Sequence, residues 1–287
     1  MSTLNNPHAQ FDDKLQAAFE QNILAALLED VGSGDLTGKL VPGDTRVTAR
    51  VIVREAAVLC GAPWFEGVML AIDQDTEIEW HYAEGDMMTA DSTVCTIVAN
   101  PRSLLTAERG ALNFMQLLSG VASATRRYVD VVAGTNAAIL DTRKTLPGLR
   151  LAQKYAVRVG GGKNQRMALY DGILIKENHI AAAGGVTAAL QAAAALDAGV
   201  PVQIEVETIA QLEEALAGGV KSVLLDNFDL DMMRQAVQVN GGRALLEASG
   251  GINMDTVRAI AETGVDRISI GSLTKDVSAT DYSLRIV

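Results

Sequence analysis

"VQIEVETIAQLEEALAGGVKSVLLDN", residues 202–227, places two short, largely apolar runs on either side of a helical pattern. Working outward, the same unit recurs with further apolar runs in AAILDTR, DGILIKE, ALLEASGG and RISIGS, and a further helical pattern in NMDTVRAIAETG. Alternation of apolar strands with helices predicts a parallel sheet covered by helices. The segment from Ala137 to Thr274 is too short for an eight-unit barrel, which needs about 250 residues. A barrel with fewer strands, or an open doubly wound sheet, fits better.

The chain upstream of this region has a different rhythm. A helical pattern over residues 14–29 has apolar positions every four residues: Leu15, Phe19, Ile23 and Leu27. Extended segments with partial polar–apolar alternation follow in RVTARVIVREAAVL, TEIEWHY and STVCTIVA. A helix then starts at TAERGALNF, with Thr106 as its expected N-cap. We therefore predict an N-terminal α+β domain over residues 1–115 and a parallel α/β domain over residues 116–275.

Composition limits the classes of function. The 287-residue chain has a formal net charge of −11, so broad nucleic-acid binding is not expected. Its apolar runs are short and broken by charge, which argues against a membrane span. Two cysteines, Cys60 and Cys95, are too few for a disulfide framework or a cysteine-rich metal site. Reduced core thiols in a cytoplasmic protein are the simpler interpretation.

Polar side chains end almost every predicted strand of the second domain. These residues are Arg143, Lys176, Glu205, Asp226, Ser249 and Ser272. In parallel α/β folds, side chains just past the carboxyl ends of the strands converge on one crevice. Six such endings of mixed charge favour a functional site over a simple loss of apolar character where each strand stops.

A basic segment lies within this acidic chain. Eight Lys or Arg residues occur between Thr142 and Lys176, against the single acid Asp171. Arg143, Lys144, Arg166 and Lys176 are suited to a small ligand with several negative charges, because arginine binds carboxylate or phosphate as a planar fork and lysine as a point charge. Three other cations, Arg150, Lys154 and Arg158, are spaced by four and predict one helix face, solvated for at least two of them.

Other groups extend this chemistry. Glu205 and Asp226 offer the hard oxygen ligands that suit Mg²⁺ on a phosphate-bearing substrate, or they oppose positive charge in a transition state. The loops ASGGI and IGSLT present backbone N–H groups near helix starts, where a terminal phosphate binds well. His179 is expected to be a structural hydrogen-bonding residue.

The motifs together resemble one family. DTRKTLPGLR, KYAV followed by GGG, DGILIKENH, EVE, LLDNF, SGGI and GSLT occur in that order, after EDVGSGDLT and LTAERGALNFMQLLSG upstream. Nearly the whole chain is similar to the quinolinate phosphoribosyltransferase family, also called carboxylating nicotinate-nucleotide pyrophosphorylases. The resemblance implies that quinolinate and phosphoribosyl pyrophosphate give nicotinate mononucleotide, pyrophosphate and CO₂ with Mg²⁺. It also implies an N-terminal α/β sandwich domain, a C-terminal barrel of fewer than eight strands, and return of residues 276–287 to the N-terminal domain.

The resemblance assigns residues as well. Binding positions fall on Arg109, Thr142, Arg143, Lys144, Arg166, Lys176, Glu205, Asp226, Ser249, Gly250, Gly251, Gly271 and Ser272. Among these, Lys144, Lys176, Glu205 and Asp226 are the candidate catalytic groups, with Glu205 and Asp226 as the metal ligands. Where the family commonly reads NHR, this chain has Asn164, Gln165 and Arg166; Gln165 is kept as a binding residue that hydrogen-bonds but carries no charge. Arg109 is expected to enter the active site of the partner in a homodimer, with a higher oligomer as an alternative.

Three rival functions remain open from the sequence. A nicotinate-specific phosphoribosyltransferase would bind one carboxylate in place of two. A Schiff-base aldolase would use Lys176 as its nucleophile. A non-catalytic, anion-binding relative on the same fold would release no pyrophosphate.

Overall fold

The computed structural model describes residues 11–287, and their contacts form two compact units. The first unit comprises the chain up to Arg126 together with Thr145–Gly161 and Leu273–Val287; the second comprises Arg127–Lys144 and Gly162–Ser272. The segment with the predicted basic helix face thus groups with the first unit. No helix of the described residues is long and apolar enough to cross a membrane.

The first unit is built on antiparallel strands. Its elements are α1 (Asp13–Asp30), a 3₁₀ turn (Gly38–Leu40), β1 (Val47–Val53), β2 (Ala57–Val58), α2 (Ala62–Ile72), β3 (Glu77–Trp80), β4 (Met87–Met88), β5 (Thr93–Ala99), α3 (Pro101–Val131), α4 (Arg150–Val159) and β12 (Tyr282–Ile286). Four strands form a sheet in the order β12-β1-β5-β3, and β2 pairs with β4. The last strand, β12, runs antiparallel to β1 with Val51 opposite Leu284.

An aromatic cluster fixes the helices of this unit. The predicted first helix is present, and its Leu15, Phe19 and Ile23 are buried. The Trp64 ring on α2 contacts Phe19 at 5.5 Å and Tyr155 of α4 at 5.4 Å between ring centroids. Such edge-on and tilted aromatic pairs stabilise a core beyond the area they bury.

The expectation that Thr106 begins a helix is wrong. α3 starts at Pro101, where Asn100 Oδ1 accepts from the backbone N of Arg102 at 2.9 Å. Asn100 therefore caps the helix, and proline at the first helical position needs no N–H partner. Thr106 lies one turn inside and donates its hydroxyl to the carbonyl of Arg102 at 2.9 Å. α3 also continues through residue 115, where the sequence placed a domain boundary.

The basic helix face is only partly solvated. Arg158 is exposed and Arg150 half-buried, whereas the Lys154 residue has no exposed surface. The spacing of four placed the three cations on one face, but it did not indicate which of them would be covered by surrounding chain.

The second unit is a parallel sheet with helical connections. Its elements are β6 (Ala138–Leu140), β7 (Ile173–Ile175), α5 (Glu177–Ala183), α6 (Val186–Ala195), β8 (Val202–Val206), α7 (Ile209–Ala217), β9 (Ser222–Asp226), α8 (Leu230–Asn240), β10 (Leu245–Ser249), α9 (Val257–Ala261) and β11 (Arg267–Ser269), with α10 (Ser272–Lys275) at its end. The ladders between neighbouring strands of this sheet are parallel.

The strand order identifies a barrel. It is β6-β11-β10-β9-β8-β7, so the first strand pairs with the last and the sheet is interrupted between β6 and β7. A single bridge from Leu140 to Lys163 lies at that interruption. A doubly wound sheet would show a reversal of strand order, which is lacking among these six strands. The predicted fold class is confirmed: an α/β chain with antiparallel sheets first and a parallel α/β barrel of fewer than eight strands second.

Alternation along the strands divides the barrel-facing side chains into two sets, because residues two apart share a face. The end set consists of Glu205, Asp226, Ser249 and Gly271, at or just past the carboxyl ends of their strands. The inner set lies two residues earlier on the same strands and consists of Gln203, Leu224, Glu247 and Ser269. Asp226 and Ser249 are direct neighbours in register, as are Glu247 and Leu224.

Candidate active site

The carboxylates at the strand ends form a close electrostatic group with one lysine. Lys176 Nζ lies 3.3 Å from Glu205 Oε2, and the two side chains are 47% and 10% exposed. Burial raises the pKa of the Glu205 carboxyl, Lys176 opposes that rise, and the charge of Asp226 adds to it. β7, β8 and β9 therefore bring these three predicted residues within interaction range. The arrangement offers one mobile cation beside a pair of oxygen ligands.

His179 holds the lysine's backbone in place. Its Nδ1 accepts a hydrogen bond from the backbone N of Lys176 at 3.0 Å, at the start of α5. The prediction of a structural, hydrogen-bonding histidine is confirmed.

A glycine is required where β9 and β10 end. Gly250 has φ +110°, and a Cβ there would lie 2.2 Å from Asn227 Oδ1. Asn227 itself has φ +56°, donates from Nδ2 to Asp226 Oδ2 at 2.9 Å, and donates its backbone N to Ser249 O at 3.0 Å. Asn227 thus orients the Asp226 carboxylate while pressing against the glycine loop. Sequence reasoning did not select Asn227; its position directly after a strand-end carboxylate is the signal that could have found it.

β6 and β11 bring a second group together. The backbone N of Lys144 donates to Thr142 Oγ1 at 3.0 Å. A Cβ on Gly271 would approach Lys144 Cδ to 3.1 Å and Thr142 Oγ1 to 3.7 Å. The glycine therefore gives the Lys144 stem room to lie across the end of β11. Ser272, the next residue, begins α10 and is half-buried.

Two guanidinium groups lie near each other with unused hydrogen-bonding capacity. Burial lowers the pKa of Arg166, and the positive charge of Arg143 lowers it further. Arg166 Nη1 donates to Gly172 O at 2.9 Å. Arg143 Nε is buried and has no hydrogen-bond partner among the described residues. Burying two cations and an unpaired N–H donor costs free energy when no anion is present. An anion bound between them would offset that cost by accepting hydrogen bonds and balancing the charge.

Gln165 is anchored at its backbone and its side chain. Its backbone N donates to Asp141 Oδ1 at 2.9 Å, and its Nε2 donates to Gln203 Oε1 at 2.7 Å. Gln203 Nε2 in turn donates to Glu247 Oε2 at 2.9 Å. Burial raises the pKa of Glu247, and the hydrogen bond from Gln203 opposes that rise. Sequence reasoning missed Asp141, Gln203 and Glu247, although each lies two residues before a selected strand-end residue: Arg143, Glu205 and Ser249 respectively.

Arg109 is the one predicted site residue in the first unit. Its side chain is 58% exposed, with Nη2 at 4.0 Å from Glu108 Oε1 and Nη1 at 3.5 Å from Gln116 Oε1. These contacts lie along its own helix, α3. Gly251, the remaining predicted residue, is exposed with φ +59° beside Gly250.

A cavity of about 890 Å³ lies at the amino ends of the barrel strands. Its lining includes the first residue of every strand of the second unit: Ala138, Ile173, Val202, Ser222, Leu245 and Arg267. Of the predicted site residues only Gln165 and Arg166 line it. Neither Glu205 nor Asp226 lines this cavity, and active sites of α/β barrels occupy the carboxyl ends of the strands.

Glu205 and Asp226 are the only strand-end carboxylates among the predicted site residues. Over residues 11–287 there is no group of three or more His, Cys, Asp or Glu residues placed to hold a metal. Glu205 and Asp226 form a pair only. Mg²⁺ is commonly held by one or two carboxylates together with substrate phosphates, so this pair fits such an ion as a partial ligand set.

Comparison with known proteins agrees with the geometry. The family model for the quinolinate phosphoribosyl transferase N-terminal domain matches residues 35–119, and that for the C-terminal domain matches residues 121–285. The nicotinate-nucleotide pyrophosphorylase (carboxylating) of Mycobacterium leprae is 41% identical over 93% of this chain and 96% of its own. A probable enzyme of that name from Bacillus subtilis is 38% identical over 90% of both chains.

A solved structure extends the likeness to the whole fold. The nicotinate-nucleotide pyrophosphorylase of Francisella tularensis superimposes with a TM-score of 0.92 at 40% identity, covering 100% of both chains. These matches confirm the family and the enzyme class predicted from the motifs. The chain belongs to the quinolinate phosphoribosyl transferase family, which it matches in both of that family's domains.

Proposed function

We propose that the chain transfers the phosphoribosyl group of phosphoribosyl pyrophosphate to quinolinate with decarboxylation, as a step of de novo NAD biosynthesis. The products are nicotinate mononucleotide, pyrophosphate and CO₂. Family membership and the names of the relatives support this reaction. The observation that carries it is the Arg143–Arg166 pair, two adjacent guanidiniums of which one has an unsatisfied buried donor.

The substrate's charge explains the basic segment. Quinolinate carries two carboxylates on neighbouring ring carbons, and charge-assisted hydrogen bonds to arginine are among the strongest available to a protein. Arg143 and Arg166, with Lys144, Gln165 and Thr142, would hold these groups. A nicotinate-specific enzyme would leave one cation of this set without an anion, so quinolinate is favoured.

Positioning and electrostatics supply the catalysis. Departure of pyrophosphate from the ribose carbon develops positive charge there, as in glycosyl transfer generally. Glu205 and Asp226 would oppose this charge, and Lys144 and Lys176 would neutralise the phosphates. After the pyridine nitrogen bonds to ribose it is cationic, and its charge stabilises the electron pair left on the adjacent ring carbon when the carbon–carboxylate bond breaks and CO₂ departs. A proton from solvent then adds to that carbon in place of the lost carboxylate. No covalent bond to the enzyme is needed.

The glycine-rich loops at the strand ends would bind the phosphate groups of phosphoribosyl pyrophosphate. The loops of Ser249, Gly250 and Gly251 and of Gly271 and Ser272 would bind phosphate through backbone N–H groups and hydroxyls. Glu205 and Asp226 would hold Mg²⁺ together with substrate oxygens; when bound, the ion neutralises the charge of the departing pyrophosphate.

Assembly and compartment complete the proposal. A homodimer would supply Arg109 to the partner's site, and its 58% exposed guanidinium leaves it available for such a role; a higher oligomer is the alternative. Cytoplasmic residence is supported by Cys60 and Cys95, both buried and free of disulfides.

The aldolase alternative is disfavoured by one contact. Lys176 lies in an ion pair with Glu205 at 3.3 Å. An imine-forming lysine attacks a carbonyl with its side-chain nitrogen, whereas the Lys176 nitrogen lies against a carboxylate. The nearby strand-end groups also provide anion and metal ligands, with no proton relay to an incoming carbonyl.

A substrate comparison tests the proposal. Purified protein is given phosphoribosyl pyrophosphate and Mg²⁺ with quinolinate, nicotinate or nicotinamide, and released pyrophosphate is measured. We expect release with quinolinate and at least tenfold less with the others, since the lost carboxylate removes one charge-assisted contact of about 1.5–3 kcal/mol. Equal rates with nicotinate would replace the proposal by its closest rival, and no release with any pyridine would reject it.

A further inference from the structure

A hydrogen-bonded relay lies beneath the strand-end residues of the second unit. It runs from Glu247 on β10 through Gln203 on β8 to Gln165, with donor–acceptor distances of 2.9 and 2.7 Å. Gln203 and Glu247 are the inner-set residues that lie two positions before Glu205 and Ser249 on the same strands. Gln165 and Gln203 also line the cavity of about 890 Å³, so the relay lies between that cavity and the strand-end residues.

The carboxylate gives the relay a direction. Glu247 Oε2 accepts a hydrogen bond from the amide nitrogen of Gln203, so that nitrogen is turned toward Glu247. Because the amide is rigid, Gln203 then presents its oxygen to Gln165, and Gln165 must respond with Nε2. One of the two amide orientations of Gln165 is thereby selected by a residue it does not touch.

Stability alone does not account for Glu247. The residue is 1% exposed, and its Oε1 has no hydrogen-bond partner among the described residues. A buried carboxylate with one unsatisfied oxygen destabilises a fold relative to an apolar or amide side chain of similar size. Unsatisfied buried groups in native proteins call for a specific explanation. A role in directing the relay provides one.

The relay acts on a residue that is already fixed in position. Asp141 is fully buried and accepts from the backbone N of Gln165 at 2.9 Å and from Asn164 Nδ2 at 2.6 Å. Asp141 thus holds the backbone of Gln165, and Gln203 restrains its side chain. Gln165 directly precedes Arg166, whose pKa is lowered by the positive charge of Arg143.

We propose that Glu247 and Gln203 are positioning residues that hold Gln165 in one amide orientation for the pyridine substrate. This inference rests on the proposed function. It explains how a neutral amide serves where the resemblance leads one to expect histidine. An imidazolium donates from both ring nitrogens, whereas an amide has one donor end and one acceptor end, so a neighbour must fix which end faces the substrate. Specificity for the pyridine substrate then depends on a carboxylate that the substrate does not touch.

The test is a set of steady-state measurements on Glu247→Gln. A glutamine at 247 donates or accepts, so Gln203 and Gln165 lose their defined orientation. We expect KM for quinolinate to rise about threefold to tenfold, the equivalent of one neutral hydrogen bond, with kcat and KM for phosphoribosyl pyrophosphate within twofold. A general loss of structure would change all three parameters together.

A compensating double variant provides the rescue. In Glu247→Gln combined with Gln203→Glu, the carboxylate moves one place along the relay and again accepts from Gln165 Nε2. KM for quinolinate should return to within twofold of the parent. Glu66→Gln is the matched control, because Glu66 is a fully buried carboxylate in the first unit and should leave KM for quinolinate unchanged.

The outcomes separate this inference from the proposed function. A parent enzyme inactive with quinolinate rejects the function itself. An active parent with an unaltered Glu247→Gln variant, or a double variant that does not recover, rejects the relay alone. If Glu247→Gln does not fold, Gln203→Leu removes the acceptor for Gln165 and should raise KM for quinolinate selectively; an equal rise for both substrates would overturn the relay.

Discussion

Replacement of Glu84 by glutamine should change how the stability of the first unit depends on pH. The Glu84 carboxylate accepts from the backbone N of Gly61 at 2.7 Å, from that of Ala62 at 3.1 Å and from the Tyr155 hydroxyl at 3.0 Å. It therefore joins the start of α2 to α4, the helix that carries Arg150, Lys154 and Arg158. Burial raises the pKa of Glu84 from 4.5 to about 7, and the backbone hydrogen bond from Gly61 opposes that rise.

Proton binding determines whether the Glu84 contribution to the free energy of unfolding rises or falls with pH. A carboxyl whose pKa is higher in the folded state binds more protons when folded, so its contribution to the free energy of unfolding falls as pH rises. The contribution is fully present below pH 4.5 and is lost by about pH 7. At about 1.4 kcal/mol per pKa unit, these values correspond to a loss of about 2.5 kcal/mol between pH 5 and pH 8. Glu84 is only half-buried and lines a cavity of about 640 Å³, so solvent screening reduces the expected loss to about 1–2.5 kcal/mol.

Urea unfolding followed by tryptophan fluorescence measures this loss. The chain has two tryptophans, Trp64 and Trp80, and both lie in the first unit. The free energy of unfolding is determined at pH 5 and pH 8 for the parent, for Glu84→Gln and for Glu79→Gln, an exposed carboxylate on β3. Between pH 5 and pH 8, we expect the free energy of unfolding of the parent to fall by about 1–2.5 kcal/mol relative to that of Glu84→Gln. A difference independent of pH, or one of opposite sign, would refute the reasoning.

Further predictions concern the candidate site. Lys144→Ala should raise KM for quinolinate roughly tenfold or more, because a charge-assisted contact is lost. KM for phosphoribosyl pyrophosphate should change less, and the control variant Lys275→Ala should change neither value. A rise in KM for phosphoribosyl pyrophosphate alone would contradict the assignment of Lys144 to quinolinate binding. Gln165→His should keep activity within about tenfold of the parent, and a large rate gain that titrates near pH 6.5 would contradict a hydrogen-bonding role. Mixing Arg109→Ala with Lys144→Ala should restore roughly a quarter of parental activity through mixed dimers; no recovery despite subunit exchange would place Arg109 outside the partner's site. Gly250→Ala should destabilise the fold by about 2 kcal/mol or more, from the positive φ and the 2.2 Å approach to Asn227, and an unchanged Tm would contradict it.

Local patterns were sufficient for the barrel and its strand-end residues. The alternation in residues 202–227 appears as β8, α7 and β9, and Glu205 and Asp226 close those strands as predicted. These features depend on the periodic spacing of apolar residues and on the polar residue that follows each apolar run. Both can be recognised within a short stretch of consecutive residues. The choice between a barrel and a doubly wound sheet required the pairing of β6 with β11, residues that lie more than a hundred positions apart.

The relay and the buried lysine could not be predicted in the same way. Contact between Gln203 and Glu247 depends on the register of three strands, and contact with Gln165 depends on the path of an irregular segment beside β6. Lys154 has the same four-residue spacing as Arg150 and Arg158 but no exposed surface, because packing around α4 decides its burial. Thr106 is not the cap because Asn100 and Pro101 start the helix six residues earlier, where the Asn100 side chain accepts from the backbone N of Arg102.

Release of labelled CO₂ tests the central claim most directly. Quinolinate carrying the label in the carboxylate beside the ring nitrogen is turned over with phosphoribosyl pyrophosphate and Mg²⁺, and CO₂, pyrophosphate and mononucleotide are counted in the same reaction. We expect equal amounts of all three products, and a matching fall in all three with Lys144→Ala at subsaturating quinolinate. Pyrophosphate or mononucleotide formed without labelled CO₂ would contradict a decarboxylating transfer at this site.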